Sequence, residues 1–215
     1  MRLFRVAAVL AALCLCGCAT SIGYRADDVP DEPVSEGDHV MGRVLIYTTK
    51  TDDDRLITAG ATSVTGTGLK LTTPVGVMVR EIALRVFSKV ATDGADASDN
   101  FVNAGRYTVV IRPQIENFEY GFQTPKLGIE ITPEVRVILR INLLDATGSV
   151  MLEKDYDSGV VSGSRHMVSR KVVERTNKLA HRVIYDLMRH AAADVRDYQQ
   201  TKKILDRQFE GARML

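Results

Sequence analysis

Apolar residues recur along the chain with two periods, two and about 3.6, and the switches between them lay out the elements. Val40 to Thr49 is rich in β-branched and aromatic residues and reads as a strand. Lys50 to Asp54 closes it in a polar turn, and Gly60 to Thr73, dense in Gly, Ser and Thr, reads as a loop or irregular strand. Thr73 and Pro74 then supply an N-cap and a first helical residue. Val79, Ile82, Ala83, Val86, Phe87 and Val90 follow at helical spacing as one apolar stripe. Thr92 to Arg106, rich in Asp, Gly, Ala and Asn, reads as a loop.

Alternation returns at Tyr107 to Phe122. Apolar positions there are odd-numbered through Ile115 and even-numbered from Phe118, a phase change that predicts a β-bulge. Pro113 cannot donate to a ladder, so the strand should lie at an edge or have a free N–H side at that point. Glu134 to Leu144 alternates most cleanly, with Val135, Val137, Leu139, Ile141 and Leu143 on one face and Glu134, Arg136, Arg140 and Asn142 on the other. Asp145 to Gly148 is a turn, and Val150, Leu152 and Tyr156 continue an antiparallel partner with one wet face. From about Met167 the period becomes helical: Val172, Thr176, Leu179, Ala180, Val183, Ile184, Leu187, Met188, Ala191 and Val195 form a stripe that must lie on the sheet or on a partner. The order β-α-β-β-β-α predicts an α+β fold, a two-layer sandwich with a mixed sheet and both amphipathic helices on one face.

The N-terminus reads differently. Arg2 and Arg5 precede an apolar run from Val6 to Leu15, and Leu15-Cys16-Gly17-Cys18 follows. Charge, apolar run and Leu-x-Gly-Cys in this order resemble the leader and lipobox of bacterial lipoproteins. The resemblance implies cleavage before Cys18, acylation of that thiol and, with Ala19 rather than Asp next, export to the outer membrane. Cys14 and Cys16 would leave with the leader, so the mature chain would hold neither a free thiol nor a disulfide. Two or three acyl chains would make attachment essentially permanent. The chain of 215 residues thus divides into a signal peptide at 1–17 and a lipidated N-terminus with a flexible acidic tether at 18–38. A single domain follows at 39–198, then a charged helical extension or tail at 199–215, with Ile204, Leu205 and Phe209 as a last apolar patch.

Candidate chemistry changes this picture little. The 28 basic and 27 acidic residues nearly cancel, which excludes the basic face of a nucleic-acid-binding protein. His181 and His190, nine residues apart, fall on opposite sides of a helix; these and His39 read as solvated side chains, not metal ligands. Ser162, Ser164 and His166 lie close together, but no nucleophile elbow surrounds either serine, and Ser164 or Ser169 suits a helix cap better. Asp52-Asp53-Asp54 lacks the alternation of a calcium loop and reads as a solvated turn. Gly66-Thr67-Gly68-Leu69-Lys70 lacks the spacing of a phosphate loop. Phe118, Tyr120 and Phe122 form an aromatic row that either fills the end of the core or offers a surface to a partner strand or lipid chain.

Lipobox, acidic tether, strand, amphipathic helix, hairpin and long final helix together resemble small outer-membrane lipoproteins: those assisting lipopolysaccharide insertion, auxiliary subunits of envelope ABC transporters, and YajG-like lipoproteins. The likeness is of plan, and no binding residues transfer with it. It implies a non-enzymatic, periplasm-facing accessory or scaffold subunit, anchored through its acyl chains, with an envelope protein as partner and no cofactor. Ring formation by copies of the chain, as in curli-type secretion lipoproteins, is one form of that role. The alternatives are a carrier of lipid or another small apolar ligand, and a periplasmic enzyme using Ser162, Ser164 or His166.

Overall fold

The computed structural model describes residues 20–35, 37–63, 70–101, 104–124, 130–167 and 171–213. Residues 1–17, read above as a signal peptide, and Cys18, Gly66 to Leu69 and Ser169 lie outside them. The fold is α+β, and its main sheet is mixed. Strands β2 (Val44–Tyr47), β5 (Ala95–Ser98), β6 (Val109–Gln123) and β7 (Glu130–Leu144) stand in the order β5-β2-β6-β7, with β2 parallel to both neighbours and β7 antiparallel to β6. The far edge of β7 is covered by three successive pieces, β8 (Val150–Asp157), β9 (Val161–Ser162) and β10 (His166–Met167). A smaller sheet holds β1 (Thr20–Ser21), β4 (Lys70–Thr73) and β3 (Ile57–Gly60) in the order β1-β4-β3.

Three helices complete the fold: α1 (Lys50–Asp53), α2 (Val75–Val90) and α3 (Val172–Arg213). The apolar stripes of α2 and α3 and the odd-numbered residues of β7 form one contiguous core, in which Val79, Ile82, Val86, Phe87, Val137, Leu139, Ile184 and Met188 are all buried. Burying each such side chain contributes roughly 1.5–3 kcal/mol, so the pattern of the sequence and the layer architecture reinforce each other. The predicted bulge is present: Ile115 pairs with Leu139 but Asn117 with Ile138, and Glu116 is the extra residue that switches the buried phase. The hairpin turn closes on Asp145, whose carboxylate accepts from the backbone N–H groups of Thr147 and Ser149, with Gly148 at φ +88°.

Several elements differ from the sequence reading. Helix α2 begins at Val75, one residue late, because Thr73 is spent in β4, where it pairs with Ile57. The 60–73 region ends in β4, whose partner β3 precedes it at Ile57–Gly60, and the 92–106 loop supplies β5 and a 3₁₀ turn at Ala104–Arg106. Strand β5, Ala-Asp-Ala-Ser, has no strand propensity of its own; the parallel ladder to β2 makes it a strand. Strand β6 is interior, not an edge, yet its ladder to β2 ends at Ile111, two residues before Pro113. Asp52 to Asp54 is no solvated turn: Asp52 and Asp53 end α1, which Thr49 and Asp52 cap reciprocally. Gly76 lets α2 approach α1, since a Cβ there would lie 1.9 Å from the Asp52 carbonyl oxygen.

The largest correction concerns the tether. Residues 20–38 are not free; they form a belt along α2 and α3. Ile22 and Val29 are buried in the main core, and Ser21 and Ile22 continue along β4. Asp31 pairs with Lys89 and Asp38 with Arg196, while Asp28 accepts from Asn177. From end to end the contacts climb along both helices, from Ala26 with Arg85 to His39 with Val90 and from Arg25 with His181 to Met41 with Gln199, with one turn back at Asp28 and Asn177. Belt, α2 and α3 therefore run in the same direction. The first described strand begins at Thr20, and the last helix continues to Arg213.

Candidate functional site

The helices cover one face of the main sheet. The opposite face is closed at one end by a small cluster, Leu45, Ala104, Val110 and Leu144 with Tyr47, Phe101 and Tyr107 around it. The remainder is polar, because alternation sends the even-numbered residues of β7 and their cross-strand neighbours to that side. Register sets them in rows: Arg112, Asn142 and Glu153; Gln114, Arg140 and Asp155; Asn117, Ile138 and Asp157; and Glu119 with Arg136.

Three arginines organise this face, each holding an aspartate with two prongs. Arg140 donates from Nε and Nη2 to Asp155 at 2.8 and 3.0 Å, with Glu116 and Glu153 each 3.8 Å away. Arg136 donates to Asp157 at 3.1 and 2.6 Å. Arg112 donates to Asp52 at 3.0 Å from both Nε and Nη2, and Gln114 adds a bond at 2.8 Å. Hydrogen bonds from Arg136 and from the Gly159 N–H hold Asp157 down at about 2. The bond from Arg140 lowers Asp155 in the same way. For Asp52, burial pushes the pKa up, but bonds from Thr49, Gln114 and Arg112 outweigh it and the net shift is downward. The three aspartates are thus ionised across the physiological range. Exposed pairs of this kind add little stability. What they fix is position: a patterned charge surface in which carboxylates outnumber guanidinium groups.

A second feature lies where α3 leaves the body. His39, Met41, Val109, Leu143, Met151 and Tyr198 line an open groove of about 590 Å³. Met41 and Met151 are exposed there, and Lys202 and Lys203 flank it.

The aromatic row takes the core role of its two readings. Phe118, Tyr120 and Phe122 are buried in the main core, and Tyr120 donates its hydroxyl to the Ala59 carbonyl at 3.2 Å. Post-bulge phase points them at the helices, so they present no surface. His181, read as solvated, is fully buried. Its Nε2 accepts from the Arg25 backbone N–H at 3.0 Å, its Nδ1 lies 2.8 Å from the Asn177 carbonyl, and Tyr24 packs on the ring. A ring that accepts at Nε2 carries its proton at Nδ1 and is neutral; burial pushes its pKa below the usual histidine value. Ser162 donates to Glu134 at 3.2 Å on the surface. Among the described residues, no three or more His, Cys, Asp or Glu side chains group as metal ligands. No described helix is long and apolar enough to cross a membrane.

No protein-family model matches the sequence, and no curated protein does. Among solved structures, the fold is similar to a minor lipoprotein from Acinetobacter baumannii, 13% identical over 73% of this chain and 93% of that one, at a TM-score of 0.37. It is also similar to uncharacterized lipoprotein B from Nitrosomonas europaea, 10% identical over 80% and 94%, at 0.41. PelC from Paraburkholderia phytofirmans, solved as a dodecamer, is 12% identical over 77% and 96%, at 0.39. Two of the three are lipoproteins by name, the class that the leader of this chain resembles. At such identities and TM-scores the likeness says nothing about a site or an activity here.

Proposed function

We propose that the protein is a non-enzymatic, lipid-anchored accessory or scaffold subunit of an outer-membrane assembly, transport or secretion machine, facing the periplasm. The observation that carries this reading is the uncovered sheet face, where Arg112, Arg136 and Arg140 hold their aspartates in place. A surface whose long side chains are already ordered loses little freedom on binding and selects its partner by charge pattern. The test is cross-linking and pull-down from native membranes with the intact chain and with Asp155→Lys combined with Asp157→Lys. Reversing these charges is expected to remove a stoichiometric envelope partner; full recovery of the partner would overturn the reading.

A second reading, a carrier of a small apolar ligand, has the groove at Met41, Leu143 and Met151 in its favour. Among the described residues, the interface between sheet and helices is filled by buried side chains. Native mass spectrometry of gently extracted protein distinguishes the two: a co-purifying apolar molecule that Met41→Glu abolishes supports the carrier, and its absence supports the scaffold.

A further inference from the structure

The docked belt has a geometric consequence for the anchor. Thr20 pairs with Leu71 and Ser21 with Thr72 in a parallel ladder, which puts Thr20 at the Lys70 end of the small sheet. The same end of the molecule holds the outer ends of β6 and β7, where Gln123 pairs with Thr132. It also holds β10, which pairs with Glu130 and Ile131, and the first turns of α3. The Phe122 backbone N–H donates to Ser63 Oγ there at 2.8 Å, which brings in the chain that leaves β3.

This end carries exposed cations, and Asp27 and Asp28 line the same cleft as Arg175 and Lys178. Lys70 and Arg165 are exposed, and Lys171, Arg175 and Lys178 fall at i, i+4 and i+7 on the exposed side of the α3 start. Glu130 lies 3.8 Å from Arg165, and Glu174 is in the first turn of α3. The helix then carries the chain the other way. From His181, beside the belt, to Arg213 is 32 residues, or about 48 Å at 1.5 Å per residue.

From these placements we infer that the end of the body bearing Lys70, Arg165, Lys171, Arg175 and Lys178 seats directly on an anionic phospholipid surface, with the free end of α3 pointing away from it. The inference rests on acylation of Cys18. Thr20 is two positions on from Cys18, a reach of about 7 Å when extended, so an acylated Cys18 gives the body no stand-off. The tether expected from composition would have allowed roughly 25 Å. Cations held at a phospholipid headgroup layer are attracted by its negative potential, and each adds about fivefold to partitioning.

The test uses the full mature chain reconstituted in phosphatidylcholine vesicles with and without phosphatidylglycerol. A fluorophore is placed at Lys70→Cys, Lys178→Cys or Lys202→Cys, with headgroup nitroxide lipids as quenchers. Quenching is expected to be several-fold stronger at positions 70 and 178 than at 202. A twelve-residue Gly/Ser spacer inserted after Ala19 should reduce it on neutral vesicles. On anionic vesicles much of it should survive the spacer and fall when Lys171, Arg175 and Lys178 are all changed to Gln. Equal quenching at both ends, or stronger quenching at 202, would overturn the seating while leaving the anchor intact. The mass of the N-terminal peptide tests the anchor separately: an unmodified Cys18 would overturn both.

Discussion

Two charged segments flank the apolar body, and the fold treats them oppositely. Residues 20–38 and 199–213 are both poor in large apolar groups and both read from composition as appendages. The first is strapped to α2 and α3, with Ile22 and Val29 in the core; the second continues α3 beyond Tyr198, the last of the described side chains packed against the core. The difference is complementarity. The belt is acidic and passes Arg85, Lys89 and Arg196, and it has two aliphatic side chains at positions that reach the space between the helices. The extension mixes both charges, and Lys202 and Lys203 stand in solvent. Charge sets where the belt lies, but burial of Ile22 and Val29 supplies most of its stability, because exposed ion pairs are weak.

The strongest way to break this comparison is Ile22→Ala, which should cost about 2–5 kcal/mol in chemical denaturation. It should also raise hydrogen exchange across residues 22–31. A cost below about 0.5 kcal/mol would mean that the belt is a passenger.

Next in size is pH. The His181 pKa is depressed in the fold, so the unfolded chain takes up a proton near pH 6.5 that the fold resists. The stability of the neutral ring is present in full above about 6.5 and is lost as pH falls from there through the depressed folded value, with a slope approaching 1.4 kcal/mol per unit. A proton on Nε2 would also set it against the Arg25 N–H, in a setting that includes Asp28 and Tyr24. Comparing denaturant midpoints at pH 7.5 and 5.5, the wild type should lose more than His181→Gln, whose amide oxygen can still accept from Arg25. Equal losses would show that the latch does not sense protons.

Smaller still is Asp31→Asn, which releases Lys89 and Arg85. A slight lowering of Tm is expected, and added salt should abolish the difference from wild type. The smallest effect belongs to the other side of the comparison. Deleting residues 202–215 should change stability by less than about 0.5 kcal/mol while shortening the molecule in small-angle scattering. A large loss would show that the extension folds back on the body.

Much of the layer plan was legible because it depends on local periodicity. The alternation of Val135 to Leu143, the stripes of α2 and α3 and the phase change at Glu116 are each visible within about a dozen residues, and each matches what is buried. The candidate surface was half legible. Arg136, Arg140 and the wet side of β7 follow from the alternation, whereas Asp52 reaches Arg112 across 60 residues of chain and gave the sequence only an acidic triplet. His181 was missed for a related reason. A polar residue next to an apolar stripe looks solvated until a distant backbone N–H, that of Arg25, arrives to satisfy it.

The sequence by itself determined the elements that carry their own period, because apolar spacing on one helix or strand selects the buried side without reference to anything else. The tertiary structure alone decided that β5 is a strand, that Phe118, Tyr120 and Phe122 are core and that the acidic segment is a belt. Each of those outcomes depends on a partner far along the chain: a parallel ladder, a bulge read in three dimensions, cations on two helices. Composition reports what a segment could bury alone, and these segments are ordered by what the rest of the fold brings to them.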